Sequence, residues 1–295
     1  MAIKLGKESV EGAFKLYKGV GAFNIIAVNP NKKELEELQG RDIENEPEYK
    51  TKNDDGQDVM KITFYAKTNP EAKVNNGIEL MLPISFMLVK DKRVGQGSGK
   101  IQIVDKYGRF AWATQEDIDS KSIPMYKSGP ANINKDYRLA YQGEESLIEF
   151  LKTWLNIPNP ADYKDGQWVM KKDPSDSEVS LDMDALFKGN VTELKDLVKL
   201  AASYMVKAAV GVKTTEEGKQ YQAVFTRMFV KNAVTNYSKL DAAITDFQNN
   251  GGAKTTEYSV EPLHENVVEA TQFAPKTEDT GDMPFETPVG STPWD

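Results

Sequence analysis

Apolar and polar residues alternate along DVMKITFYAKT, with Ile62, Phe64 and Ala66 on one side of a strand and Lys61, Thr63, Tyr65 and Lys67 on the other. GIELMLPISFMLVK repeats that period, with Ile78, Leu80, Leu82, Ile84, Phe86 and Leu88 inward and Pro83 marking an edge or a bulge. GVGAFNIIAVNP reads as a further strand, and KIQIVDKYGRFAWA as a hairpin turning at Asp105 to Gly108. The period becomes helical in EESLIEFLKTWLNIP, where Leu147, Phe150, Leu151, Trp154 and Leu155 form one stripe and Pro158 lies beyond the end. Asn190 with Glu193 resembles a capping box for a second helix, striped by Leu194, Leu197, Val198, Ala201 and Met205. VKAAVGVKTTEEGKQYQAVFTRMFVK reads as two strands joined at TTEEG, and a short helix from Ser238 stops at Gly251 and Gly252.

The connections are less regular. Asn31 to Gln57 is charged and partly helical, Gln115 to Gln142 is irregular, and Asn159 to Lys188 reads as an inserted loop rich in Pro, Asp and Ser. Short alternating strands without a βαβ rhythm point to an α+β chain, mostly antiparallel, built as a small barrel with helical insertions. The expected body is residues 1–254, with insertions at about 31–57 and 159–205, and an acidic tail occupies 255–295, disordered from about residue 275.

Composition narrows the chemistry. The 295 residues contain no cysteine and a single histidine, His264, which removes disulfides and thiolate metal sites and leaves little for a transition metal, so no cofactor is expected. No window approaches the roughly 20 apolar residues of a membrane span, and the first residues lack an apolar leader, so a cytoplasmic protein without a membrane partner is expected. The net charge of −8 lies wholly in the last segment: Thr255 to Asp295 carries nine acids against Lys276, leaving a neutral remainder. Within that remainder, Met60 to Tyr141 has thirteen basic residues and eight acids, and Ala201 to Lys239 has six and two.

Enzymatic motifs are weak. VGQGSGKI has Val94 and Ile101 where a phosphate loop needs glycine and a hydroxyl, and His264 has no nucleophile near it in sequence. Asp182 and Asp184 keep a magnesium-dependent nucleic-acid enzyme open as an alternative, although a solvated acidic loop explains them as well. A non-enzymatic protein is expected.

The stronger signal is aromatic residues interleaved with cations. From Lys219 to Lys231, read as one strand, Lys219, Tyr221, Phe225, Arg227, Phe229 and Lys231 share a side opposite Val224, Met228 and Val230. Lys61, Tyr65 and Lys67 repeat the pattern, and the hairpin adds Lys100, Lys106, Tyr107, Arg109, Phe110 and Trp112. Unpaired bases offer π-faces to aromatics while cations follow the phosphates, so these residues are candidates for binding single-stranded nucleic acid. No basic recognition helix argues for sequence-specific duplex binding.

The acidic stretch around Asp282, Met283, Pro284 and Phe285 resembles the C-terminal tip of bacterial single-stranded DNA-binding proteins: acids, then aspartate, an aliphatic residue, proline and phenylalanine. With a β-rich basic-aromatic body before it, the layout resembles bacteriophage single-stranded DNA-binding proteins. The resemblance implies an OB-fold Greek-key barrel that coats single-stranded DNA in replication or recombination. It also implies a tail that recruits polymerase, helicase or primase through Asp282, Met283, Pro284, Phe285, Trp294 and Asp295. In the bacterial pattern phenylalanine is final, whereas ten residues follow Phe285 here, and TPWD offers a second anchor. Self-association along the strand, and a scaffolding phage protein whose tail is an interaction peptide, stay open.

Overall fold

The computed structural model describes residues 15–90, 100–105, 107–119, 137–156, 161–171, 178–252 and 254–269. The chain is α+β with mostly antiparallel strands, and its largest sheet curls as a half-barrel. In chain order it opens with β1 (Lys15–Tyr17), β2 (Gly19–Val28), α1 (Lys32–Gln39), β3 (Lys50–Lys52), β4 (Asp58–Thr68) and β5 (Met81–Val89). Then come β6 (Lys100–Asp105), β7 (Phe110–Thr114), α2 (Gln115–Asp119), β8 (Tyr137–Leu139) and α3 (Glu144–Leu155). These are followed by β9 (Ala161–Lys164), β10 (Gln167–Lys171), β11 (Glu178–Leu181), α4 (Met183–Phe187) and α5 (Thr192–Leu200). The last part holds β12 (Met205–Thr214), β13 (Gln220–Val224), β14 (Val230–Lys231), α6 (Ser238–Asn249), β15 (Thr256–Tyr258) and β16 (Val267–Glu269).

Two compact units divide the described residues: one holds 15–48, Thr63–Ser85 and 201–269, the other Tyr49–Ile62 and Phe86–Leu200. In the first, β12 pairs with β2 from Met205↔Asn24 to Val210↔Gly19, and β2 pairs with β4 through Phe23↔Thr68 and Val28↔Phe64. Facing partners in an antiparallel ladder share a side, so the register sorts the side chains. Phe23, Ile25, Phe64, Ala66, Val206, Ala208 and Val210 are buried on one face. On the other, Val20, Ala209, Phe225 and Val230 are covered by α6 through Leu240 and Ile244. Where the β2–β4 ladder stops, the buried Asn75 takes over: its Oδ1 accepts from Ala22 N–H at 2.9 Å and its amide donates to Ala22 C=O at 2.8 Å. That leaves no orphaned backbone group at the transition.

In the second unit, the α3 stripe is buried throughout, as its 3.6-residue period requires. β7, β6 and β8 form one antiparallel sheet and β9, β10 and β11 another. The second sheet and α4 occupy the stretch expected as an inserted loop, and α2 and β8 lie in the stretch expected to be irregular. Strand length explains the miss: β9 and β10 have four and five residues, too few to show an alternation, although the Asp165–Gly166 turn between them, both at positive φ, is a hairpin signal. α5 stops at Leu200, so Met205 opens β12 instead of closing the helix stripe. Residues 255–269, counted with the acidic tail, include β15 on β12 and β16 on β1. Among the described residues no helix is long and apolar enough to cross a membrane.

Candidate nucleic-acid interface

Three of the basic-aromatic segments can be followed in the structure, and they behave differently. On β4, Ile62, Phe64 and Ala66 are buried and alternate with Lys61, Thr63, Tyr65 and Lys67, of which Thr63 is buried as well. Within the first unit, Thr63 is tied to Ser85 by their hydroxyls at 2.9 Å, whereas the Tyr65 hydroxyl and the Lys67 ammonium have no hydrogen-bond or ion-pair partner among the described residues. Lys67 is exposed and Tyr65 half-buried, and their ladder partners on β2 are Asn24 and Ala27. Burial raises the Tyr65 hydroxyl pKa and lowers that of the Lys61 ammonium, so the ring stays neutral and able to stack at ordinary pH.

The segment from Lys219 to Lys231 is not one strand. β13 ends at Val224 and β14 begins at Val230. Phe225 is only 1% exposed and meets Phe247 and Tyr258 edge-on, with centroids 5.6 and 5.2 Å away. Its assignment as a base-stacking residue is therefore corrected: it is a core side chain under α6. Its surroundings are dry enough to push the Tyr258 hydroxyl up to about 12. The neighbouring cations have contacts within the fold. Arg227 lies 4.2 Å over the Phe247 ring, Lys213 5.5 Å over Tyr221, and Lys219 pairs with Glu217 at 2.9 Å. Phe229 is half-buried and Lys231 exposed. Lys213, beside Tyr221 across the β12–β13 ladder, escaped the sequence reading because only strand pairing brings the two together.

The β6–β7 hairpin, in the second unit, is the most strongly built of the three. Asp105 has a fully buried side chain, and its Oδ1 accepts from Tyr107 N–H at 2.8 Å and Arg109 N–H at 2.9 Å. Its Oδ2 accepts from Arg109 Nε at 2.7 Å and forms an ion pair with Nη2 at 2.6 Å. The guanidinium so held sits 4.9 Å from the Tyr107 ring centroid, and Tyr107 is 64% exposed. Gly108 has φ +72° and packs so closely that a Cβ there would come within 2.7 Å of Tyr163 and 2.9 Å of Trp168. Phe110 and Trp112 are half-buried, and Phe110 stacks on Trp168 at 5.7 Å, so these rings help hold the hairpin down. Lys100 is exposed at the start of β6, and Lys106 lies outside the described residues, as do Asp282, Met283, Pro284, Phe285, Trp294 and Asp295.

Beneath the hairpin, the fully buried Glu144 carboxylate accepts from Trp168 Nε1 at 2.8 Å, Tyr141 N–H at 3.0 Å and Arg138 Nη1 at 2.9 Å, and pairs with Arg138 Nη2. Burial works against the Arg138 charge, but the bonds and field of Glu144 outweigh it and raise its pKa. The two aspartates weighed for magnesium have other work. Asp182 caps α4 by accepting from Asp184 N–H and Ala185 N–H at 2.8 and 3.1 Å, and Asp184 accepts a hydrogen bond from the Tyr141 hydroxyl. Among the described residues no group of three or more acids or histidines is placed to hold a metal ion.

Comparison of the chain with protein-family models, with curated proteins and with solved structures gave no match.

Proposed function

We propose that the chain binds single-stranded DNA without strong sequence preference, as a non-enzymatic protein of phage replication or recombination. The observation that carries this reading is the outer face of β4, where an aromatic ring and an unmatched ammonium, Tyr65 and Lys67, stand two residues apart on a rigid strand. A single strand needs that pair of chemistries: a π-face for the base and a cation for the phosphate. Strand order supports an OB-like reading of the half-barrel. β2, β4 and β5 form a meander, and β12 returns after a long connection to lie beside β2, the Greek-key arrangement. In that reading β4 and β5 are the second and third barrel strands, whose surface is where OB folds take oligonucleotides, at roughly 4–16 nucleotides per barrel.

A gel-shift titration with oligo-dT, duplex DNA and RNA at two salt concentrations tests it. Oligo-dT is expected to bind most tightly and to weaken steeply as salt rises, because phosphate neutralisation releases counterions. No strand binding together with large assemblies in the absence of DNA would favour the scaffolding alternative.

The acidic tail is proposed to compete with the strand for basic surface and, once displaced, to recruit polymerase, helicase or primase. Its charge carries this part: Glu278, Asp279, Asp282, Glu286 and Asp295 follow Lys276 with no basic residue among them. Deleting the residues after Lys276 is expected to tighten oligo-dT binding at low salt, and an unchanged affinity there would rule out competition.

A further inference from the structure

We infer that Asn24 gives the strand-binding face a fixed hydrogen-bond acceptor for the exocyclic amine of a base, so that at one position the protein favours cytosine over thymine. This rests on the single-strand reading above and adds a contact to the base edge, beside those to the base face and the phosphate. The register places the residue, and all its neighbours belong to the first unit. Asn24 of β2 is the direct partner of Lys67 on β4 and of Met205 on β12, and facing partners share a side. Opposed side chains have Cβ atoms about 4.5–5.5 Å apart and diagonal ones roughly 7–8 Å, so Asn24 stands beside Lys67 and within reach of the Tyr65 ring.

The amide has one orientation. Nδ2 donates to the Ala202 and Tyr204 carbonyls at 3.2 Å each, and the reverse setting would turn Oδ1 against two carbonyl oxygens. Oδ1 is the group left over: it is turned away from those carbonyls, accepts from no donor among the described residues, and belongs to a side chain that is only partly buried. An acceptor next to an ammonium divides a nucleotide between them. A phosphate diester has no hydrogen to give and goes to Lys67, whereas Oδ1 needs an N–H. Cytosine carries its N4 amine where thymine carries the O4 carbonyl. A base stacked on Tyr65 therefore meets Oδ1 with a hydrogen bond when it is cytosine and with oxygen against oxygen when it is thymine. One neutral hydrogen bond corresponds to about 2- to 12-fold in affinity, far below the ratio of about 10³ or more that marks sequence-specific binding.

The test uses the full-length protein and oligomers short enough to hold one copy: oligo-dC, oligo-dT and an oligomer of 2-pyrimidinone nucleotides, in which hydrogen replaces the amine of cytosine. The unaltered protein is expected to bind oligo-dC about 2- to 12-fold more tightly than oligo-dT, and more tightly than the 2-pyrimidinone oligomer. Asn24→Ala removes the acceptor, and the preference for oligo-dC should vanish. The preference is the readout because a purely structural loss, with the Ala202 and Tyr204 carbonyls deprived of their donor, weakens all three oligomers alike. A 2-pyrimidinone oligomer bound as tightly as oligo-dC by the unaltered protein, or a preference that survives in Asn24→Ala, overturns the inference while the single-strand reading stands. The first of these comparisons needs no variant, so it decides the matter even where Asn24→Ala fails to fold. No binding of any of the three by the unaltered protein overturns both.

Discussion

Glu144→Ala should destabilise the protein by about 3 kcal/mol, measured by denaturant unfolding with Trp168 among the fluorescent reporters. Three elements converge on that carboxylate: the Arg138 guanidinium from β8, the Trp168 indole from β10 and the Tyr141 amide before α3. Removing it strands a partly buried cation and two N–H donors together, and the loss of partners is costlier than the net worth of the pair. The low end of the usual range applies because the Arg138 side chain keeps 28% of its surface in solvent and can rehydrate. Replacing both partners, as Glu144→Leu with Arg138→Met, should recover part of the loss, since no charge is then left unmatched. A change below about 1 kcal/mol in the single variant would place the pair among ordinary surface ion pairs.

Phe225→Ala is expected to cost about 3–5 kcal/mol in stability and, on the proposed function, to leave the oligo-dT affinity of the folded protein unaltered. The ring is enclosed by Phe247 from α6 and Tyr258 from β15, with Val20 and Ala209 of the sheet in the same cluster, so its removal opens a cavity that stiff strands cannot collapse. Thermal melting and an oligo-dT titration of the same variant separate the two roles. A melting point close to that of the parent, combined with weakened strand binding, would return Phe225 to the interface.

The contrast between Phe225 and Tyr65 shows where sequence reading works. Both were placed by the same two-residue alternation, and both alternations sort side chains onto two faces. For β4 the inner face, Ile62, Phe64 and Ala66, is apolar enough to name itself, and the other face remains accessible at Lys67. For β13 the side carrying Tyr221 and Phe225 is the one that α6 covers, and a helix beginning at Ser238 leaves no trace in the pattern of residues 219–231. What the sequence did not show is that the Arg227 guanidinium lies over the Phe247 ring of α6. In the hairpin the turn was legible from Asp105 and Gly108, whereas Asp105 as the holder of Arg109 was not. A turn-forming aspartate looks the same in sequence whether its second oxygen faces water or a guanidinium.

By itself the sequence determined the α+β class, the alternating β4 and β5, the amphipathic α3 and the confinement of net charge to residues 255–295. Those features follow from periods of two and 3.6 residues and from charge totals, all of which are local or additive along the chain. Tertiary structure alone decided which aromatic rings are buried, which cations are spent on internal partners, and that β12 lies between β2 and β13. The reason is physical: burial and charge neutralisation depend on groups far apart in sequence, such as Val20 with Phe225 or Arg138 with Trp168 through Glu144.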